Sequence, residues 1–554
     1  MGSDKGQSMQ LPPLALRFEP EAFQFSPTRV MGRQSAGHGF LKALVQASAP
    51  MPLTGFGPHS ASSGPWRQMV QSLDAQRQVR WLQSDQQKEL AAIGLAHMPD
   101  PMLGDQARLR QTVGAAAYSI TGITHTIASQ SVMRALADYY VAPLMPWDGL
   151  ICTSRAVKAA VMAHLEHQGE YIRQRFGVAP PALPQMPIIA LGVDSQNFEI
   201  KADERQAQRA QLGIAEDAVI FLYVGRLSVH AKANPYQAYR CLERVARKID
   251  KPVVFVQCGW FANPAIEKQF KESAAKLAPN LHCYFLDGRQ PQQLRQAWAL
   301  GDIFLSLSDN LQETFGLTII EAMAAGLPVL ASDWDGYRDM VRHGTDGFLL
   351  PTHMPEAPSG FIYAQAYESG TINYDQYCAL TSQLISLDAD ALYEKALCLA
   401  QDPALRQSMG QAGKSRAHSD YDWRVVLGHY AEFWQDLTAR RLHAQAQASA
   451  FVAPSAMLDP FAIYAGYPSH ILQPNMRVTR RDDLADYPAD FSMLFPALPL
   501  DKALAALLPK IDAHVAQRGS IAIQDLALDL RIEAPTAMRA VALLLKAELL
   551  LITP

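Results

Sequence analysis

The chain has 554 residues, 49% of them apolar and 18% charged, with a formal net charge of −4. That length exceeds a single core, and the near-neutral balance gives no bulk attraction to nucleic acid or to an anionic membrane. Six scattered cysteines form no CxxC pair, and no apolar run reaches the roughly 18–20 residues that span a bilayer. With no signal-peptide pattern, these features read as mostly buried, reduced thiols in a cytoplasmic chain without a transmembrane segment. The opening MGSDKGQSM (1–9) reads as an appended leader outside the fold.

In chain order, LALRF (14–18) is the first strand, followed by a glycine-bearing loop, MGRQSAGHG (31–39), and a helix from near Phe40. AAYSITGIT (116–124) reads as a buried strand ending at His125. GLICTS (149–154) is a short strand entering the helix RAVKAAVMAHLEHQ, with Ser154 at its N-cap. MPIIALGVD (186–194) follows a proline-rich connector and reads as the last strand of a first unit. The second unit opens on AVIFLYVGR (218–226) and continues through PVVFVQCG, LHCYFLDG and DIFLSLS, with a helical pattern after each. Continuous rather than alternating apolar strands indicate parallel sheets covered on both faces. The fold class is therefore α/β: two doubly wound, Rossmann-like domains facing a cleft, at 10–194 and 195–420. Ligands of such sheets sit at the carboxyl ends of the strands, where His125, Arg226, Gly259, Asp287 and Glu313 fall.

The stretch QETFGLTIIEAMAAG (312–326) carries the most chemistry. ETFG reads as a turn and LTIIEAMAAG as a helix closed by Gly326 and Pro328. Gly316 lets backbone approach a ligand, and the free N–H groups of the helix start form an anion site. Read as helix throughout, the Glu313–Glu321 spacing spans about 12 Å and turns roughly 80° beyond two full turns. A diphosphate at the helix start would have Glu313 on its sugar side and Glu321 within reach of ribose hydroxyls. The plainer reading is a solvated helix with a glutamate beside its positive end.

This segment, with SDWDGYRDMVRHGTDGFLLP after it, resembles the retaining GT-B glycosyltransferases of family 4, whose hallmark Glu-x7-Glu is matched by Glu313 and Glu321. FLYVGRLSVHAK resembles the family's Gly-Arg…Lys element, matched by Arg226 and Lys232, although these two stand one residue further apart than the family pattern. IIALGVDSQNF and ICTSRAVKAAV resemble its interdomain connector and the segment opening the last helices of the first domain. The resemblance covers roughly residues 30–445. It implies that Arg226, Lys232 and the turn Phe315-Gly316-Leu317 hold a donor diphosphate, and that His125 contacts the donor sugar. It also implies that Gly37 and Gly39 form a glycine-rich loop near the diphosphate, while Arg289 ends a strand near the nucleobase. Catalytic roles fall to Glu313, His125, Arg226 and Lys232, with no cofactor and no metal, because fixed cations and a helix start neutralise the leaving group. The nucleotide-sugar is a substrate. Its acceptor is a saccharide, a lipid-linked molecule or a small molecule. A glycan or disaccharide phosphorylase on the same scaffold and a non-catalytic sugar-nucleotide sensor are the competing readings.

YDWRVVLGHYAEFWQDLTARRL resembles the helix that crosses back in this fold, so 421–445 is expected to complete the first domain. Residues 446–497 read as linker by composition. Residues 498–554 read as three helices and a short strand, a small, mostly α module resembling a winged helix. Only Arg539 and Lys546 lie on its candidate recognition helix, which argues against nucleic acid. That helix's several apolar faces suit docking onto the catalytic domains or a homo-oligomer contact.

Overall fold

The computed structural model describes residues 11–24, 32–47, 52–229, 232, 234–445, 458–481, 483 and 502–553. The 1–9 leader lies outside them. The chain divides into two compact units, 1–455 and 456–554.

The first unit holds two six-stranded sheets in which every pairing is parallel. One contains β1 (Ala15–Arg17), β2 (Leu53–Gly57), β3 (Val79–Gln83), β4 (Leu95–His97), β5 (Ser119–Ile123) and β6 (Gly149–Ile151), in the order β3-β2-β1-β4-β5-β6. The other contains β7 (Val219–Val224), β8 (Val253–Gly259), β9 (His282–Asp287), β10 (Ile303–Ser306), β11 (Val329–Ser332) and β12 (Gly347–Leu350), in the order β12-β11-β10-β7-β8-β9. Both are the same doubly wound sequence of strands, which reverses direction between its first and fourth members. The crevices at β1/β4 and β7/β10 are where such sheets bind ligands. Two Rossmann-like domains of this kind are the expected GT-B arrangement. The strands that read most clearly are buried along most of their length: β7 is VIFLYV and β8 is VVFVQCG, with only Tyr223 half-buried.

Three elements differ from the sequence reading. Residues 32–39, expected within a loop, are helical; a helix runs from Gly32 to Ala47. MPIIALGVD forms no strand. It and the preceding Gln185 pair beside β6 through single bridges, Gln185 with Gly149 and Ile188 with Cys152, since Pro187 between them has no N–H to extend a ladder. β5 ends at Ile123, two residues short of His125. Ser154 caps the helix Arg155–Phe176, its hydroxyl accepting from the Val157 N–H at 3.1 Å.

The helix Trp423–Gln445 packs on the first domain. Its Tyr430 and Trp434 are fully buried beside Phe40, with ring centroids 5.2 and 6.5 Å away. Each such burial is worth about 1.5–3 kcal/mol, so this helix is integral to that core. Arg110 and Asp148, both fully buried, pair through two contacts of 2.5 and 2.8 Å, and Asp148 also accepts from the Ile120 amide at 2.9 Å. The edge of the first sheet is thereby locked.

In the second unit, β15 (Arg477–Arg480) pairs antiparallel with β16 (Ser520–Ala522) and β17 (Leu550–Thr553). The described part of 446–497 is thus not all linker, because β15 is the central strand of this sheet; residues 446–457 and 484–497 lie outside the described residues. Ala537, Ala540, Val541 and Leu544 of the helix Ala534–Lys546 are buried in the unit's own core. Those four side chains of the expected docking helix are therefore used inside the unit, while Leu528, Leu551 and Ile552 stay exposed.

Candidate functional site

The β7/β10 crevice gathers Arg226, Lys232 and Glu313 of the second domain. β7 leads into Gly225, whose φ of 153° is left-handed, and Arg226 follows. β10 leads into 307–313, a loop held by its own polar contacts. Asn310 is buried; its side chain accepts from the Gln312 N–H at 2.7 Å and its carbonyl from Trp334 Nε1 at 3.2 Å. Ser332 donates to the Ser308 carbonyl at 2.6 Å. On that scaffold Arg226 Nη2 reaches Gln312 Oε1 at 3.2 Å, and Lys232 Nζ lies 2.7 Å from Glu313 Oε2. Arg226, Lys232 and Glu313 therefore meet across the switch point. Beside Arg226 is a recess lined by Tyr223, Asn234, Phe255, Gln257 and Phe270.

The turn at Phe315-Gly316-Leu317 has a mainly structural basis. Gly316 has φ of 99°, and a Cβ there would stand 2.1 Å from the Tyr337 ring. Phe315 is buried, and Leu317 is the first residue of the helix Leu317–Ala324. The two glutamates are consequently not separated by eight helical residues: a turn covers the first half of the interval and a single helical turn the second. Burial pushes the Glu321 carboxyl up to about 7.

Three acidic or polar groups here were not singled out as site residues. Gln312 is the side chain that meets Arg226. Asp335 has φ of 51° and a buried Oδ2 without a hydrogen-bond partner among the described residues. Its carboxyl is raised well above the usual range by burial and then by the neighbouring Glu313 charge. Asp309 is likewise pushed up to about 7 by burial. A non-glycine residue held at positive φ beside a charged cleft is the kind of strain that clusters at functional sites.

His125 lies across the cleft at the end of β5. Burial first, then the Arg33 charge, pulls its imidazole down to about 3 against a hydrogen bond to the Pro99 carbonyl. His97, whose Nδ1 lies 2.9 Å from Thr121 Oγ1, is held at about 3 by burial and by His125. Both rings are neutral at pH 7. A recess in the first domain is lined by both histidines with Phe23, Phe40, Trp423 and Tyr430.

Gly37 and Gly39 do not form a phosphate loop. They are interior to the 32–47 helix, where a Cβ would come 2.1 Å from the Ala22 carbonyl oxygen and 2.5 Å from Trp423 Nε1. Their glycines serve close packing. From that segment it is Arg33, 3.7 Å from Asp100 Oδ2, whose charge reaches His125. Arg289 is paired with Asp287 at 2.8 Å at the end of the edge strand β9, two strands from β7. Among the described residues no cluster of three or more His, Cys, Asp or Glu could hold a metal ion, and no helix is long and apolar enough to cross a membrane.

Residues 204–360 match the family described as glycosyl transferases group 1. The match contains Arg226, Lys232, Glu313 and Glu321 and ends beyond β12. A D-inositol 3-phosphate glycosyltransferase of Jonesia denitrificans is 26% identical over 242 residues, 42% of this chain and 56% of that one. A lipopolysaccharide 1,2-N-acetylglucosaminetransferase of Salmonella typhimurium is 29% identical over 174 residues, 31% and 45% of the two chains. The chain spans about half the length of the curated relatives it matches. A solved structure, Anabaena Alr3699/HepE in complex with UDP and glucose, aligns with a TM-score of 0.49 at 16% identity over 76% of this chain and 99% of that one. The group 1 match thus falls on the domain that carries the Arg226–Glu313 constellation.

Proposed function

We propose that this chain is a metal-independent retaining glycosyltransferase, moving a sugar from a nucleotide-sugar donor to an acceptor hydroxyl. The observation that carries the reading is the meeting of Arg226, Lys232 and Glu313 at the β7/β10 switch point, next to the start of the 317–324 helix. Breaking the donor bond leaves new negative charge on the diphosphate and oxocarbenium character on the sugar. Arg226, Lys232 and the first amides of the helix are fixed donors for that charge. Donor binding gives Lys232 a second anionic partner, which releases Glu313 for the sugar hydroxyls. Glu321 serves the ribose. His125, neutral and with one N–H engaged by the Pro99 carbonyl, offers its other ring nitrogen as acceptor for a sugar hydroxyl. The departing phosphate takes the acceptor's proton on the face it leaves.

The test is a thermal-shift comparison of UDP, GDP, ADP and dTDP, followed by turnover of the matching sugar nucleotides in excess EDTA. A ligand at 100 times its Kd adds about 2.7 kcal/mol, a readily measured rise. A chain that answers to none of the four and turns over no sugar nucleotide is not this enzyme; turnover that EDTA stops and Mg²⁺ restores overturns the metal-independent part alone.

A further inference from the structure

The second domain leaves and re-enters its fold through a two-residue antiparallel ladder, β13 (Thr352–His353) against β14 (Ser386–Leu387), in which Thr352 faces Leu387. Between these strands residues 354–385 fold into two helices, Phe361–Glu368 and Tyr374–Ser382, the second started by a capping box of Asn373 and Gln376. The helices are joined by Tyr367 and Tyr377, stacked with centroids 4.6 Å apart at 13°.

Although it is an excursion from the second domain, this segment makes cross-cleft contacts to the first. The Tyr374 hydroxyl lies 3.1 Å from Thr126 Oγ1, and the Tyr367 hydroxyl accepts from the Gln130 N–H at 2.9 Å. Arg134 Nη2 lies 3.2 Å from Glu368 Oε1. Thr126 is the residue after His125. On the other side, Cys378, one turn beyond Tyr374, is buried, hydrogen-bonds Tyr374 and feels the charge of Arg226. The 374–382 helix thus reaches from the His125 loop to the neighbourhood of the diphosphate arginine.

We propose that the 354–385 excursion is a bridge setting the His125 loop in register with the donor site, and that Tyr374 is its positioning residue. The inference rests on reading the β7/β10 mouth as the donor site. The two sides of a retaining transfer site lie on different domains here, so the rate depends on how closely their separation is held; small displacements of a positioned group cost large factors in rate. Two other contacts between the domains, Ser154 Oγ to the Thr314 carbonyl at 2.9 Å and Arg155 to Asp339 at 2.6 Å, fix a different part of the boundary. Within the first domain the 124–130 loop is tied at its start, where the Thr153 N–H donates to Thr124 Oγ1 at 3.1 Å; the bridge contacts fall further along it, at Thr126 and Gln130.

The experiment uses the full chain with Tyr374→Phe, Thr126→Val and the pair together. Each single variant keeps its side-chain volume and removes one side of the same hydrogen bond. We expect kcat to fall about five- to tenfold in each, with the donor KM within about twofold and the double variant no slower than the slower single. Hydrogen exchange at residues 124–134 is expected to quicken in all three. Additive losses, or an unchanged kcat in either single variant with active wild type, overturn the bridge and leave the glycosyltransferase reading intact. Wild type that turns over no sugar nucleotide and binds no nucleoside diphosphate removes both.

Discussion

Lys232 and Glu313, on opposite sides of the β7/β10 crevice, hold each other at 2.7 Å with Asp335 feeling both charges. The lysine is poised between a protein carboxylate and the place where a diphosphate would lie. Lys232→Ala and Arg226→Ala are each expected to weaken nucleoside diphosphate binding by about tenfold or more, because each removes a charge-assisted contact worth about 1.5–3 kcal/mol. Isothermal titration reads the effect. Unchanged affinity in both variants would move the diphosphate away from this mouth.

The two glutamates should separate kinetically. On the proposed reading Glu321→Ala would remove ribose contacts made equally in ground and transition states, so its expected effect is a raised donor KM with little change in kcat. Glu313→Ala would remove sugar contacts that tighten as charge develops, and kcat is expected to fall further than KM rises. Steady-state kinetics of the pair decides it, and an identical pattern in both would dismiss the division of roles.

Burial also makes Glu321 a pH-sensitive element of stability. Its carboxyl has a folded pKa raised to about 7 from 4.5, so between these values the native state binds more protons than the unfolded one. Stability from this group is full below pH 4.5 and is lost as pH rises through 7. Glu321→Gln keeps the shape without the charge. Its melting temperature is expected to gain on wild type as pH goes from 5 to 8, by up to about 3 kcal/mol in stability. A constant difference across that range would show the carboxyl to be solvated.

Gly37→Ala tests whether the glycines of the 32–47 helix serve packing. Its new methyl would meet the Ala22 carbonyl oxygen, a backbone atom that moves only with its helix. A loss of about 1–3 kcal/mol is expected, without any specific change in donor KM among the folded molecules. If this were a phosphate loop, donor affinity would fall and stability would not.

These residues show where sequence pattern and structure part. Strands such as VIFLYV in β7 were legible because continuous apolar runs have few other homes. β2, LTGFG, and the three-residue β4, LAH, carry too little pattern to stand out. Gly-x-Gly at 37–39 has the composition of a turn, yet what requires it is a neighbouring carbonyl and an indole from residue 423, distant in sequence. MPIIALGVD is apolar enough for a strand, but its proline, Pro187, forfeits a donor of the ladder. Glu313 and Glu321 stand out within one short stretch and Arg226 at a strand end, while Lys232 is named by the family resemblance alone. Asp335 and Tyr374 could not be named, since each owes its place to a chain segment that only the tertiary fold brings near.

The two-residue neck at Thr352 and Leu387 makes the excursion it encloses an exchangeable cassette. Strands paired in this way stand about 4.8 Å apart, a gap that a short reverse turn closes as well as a helical hairpin does. Lengthening a connection whose ends are already fixed adds only slowly to its entropy. Such a port allows the sheets to stay as they are while the piece hung on the ladder is lengthened, trimmed or replaced without refolding the domain around it.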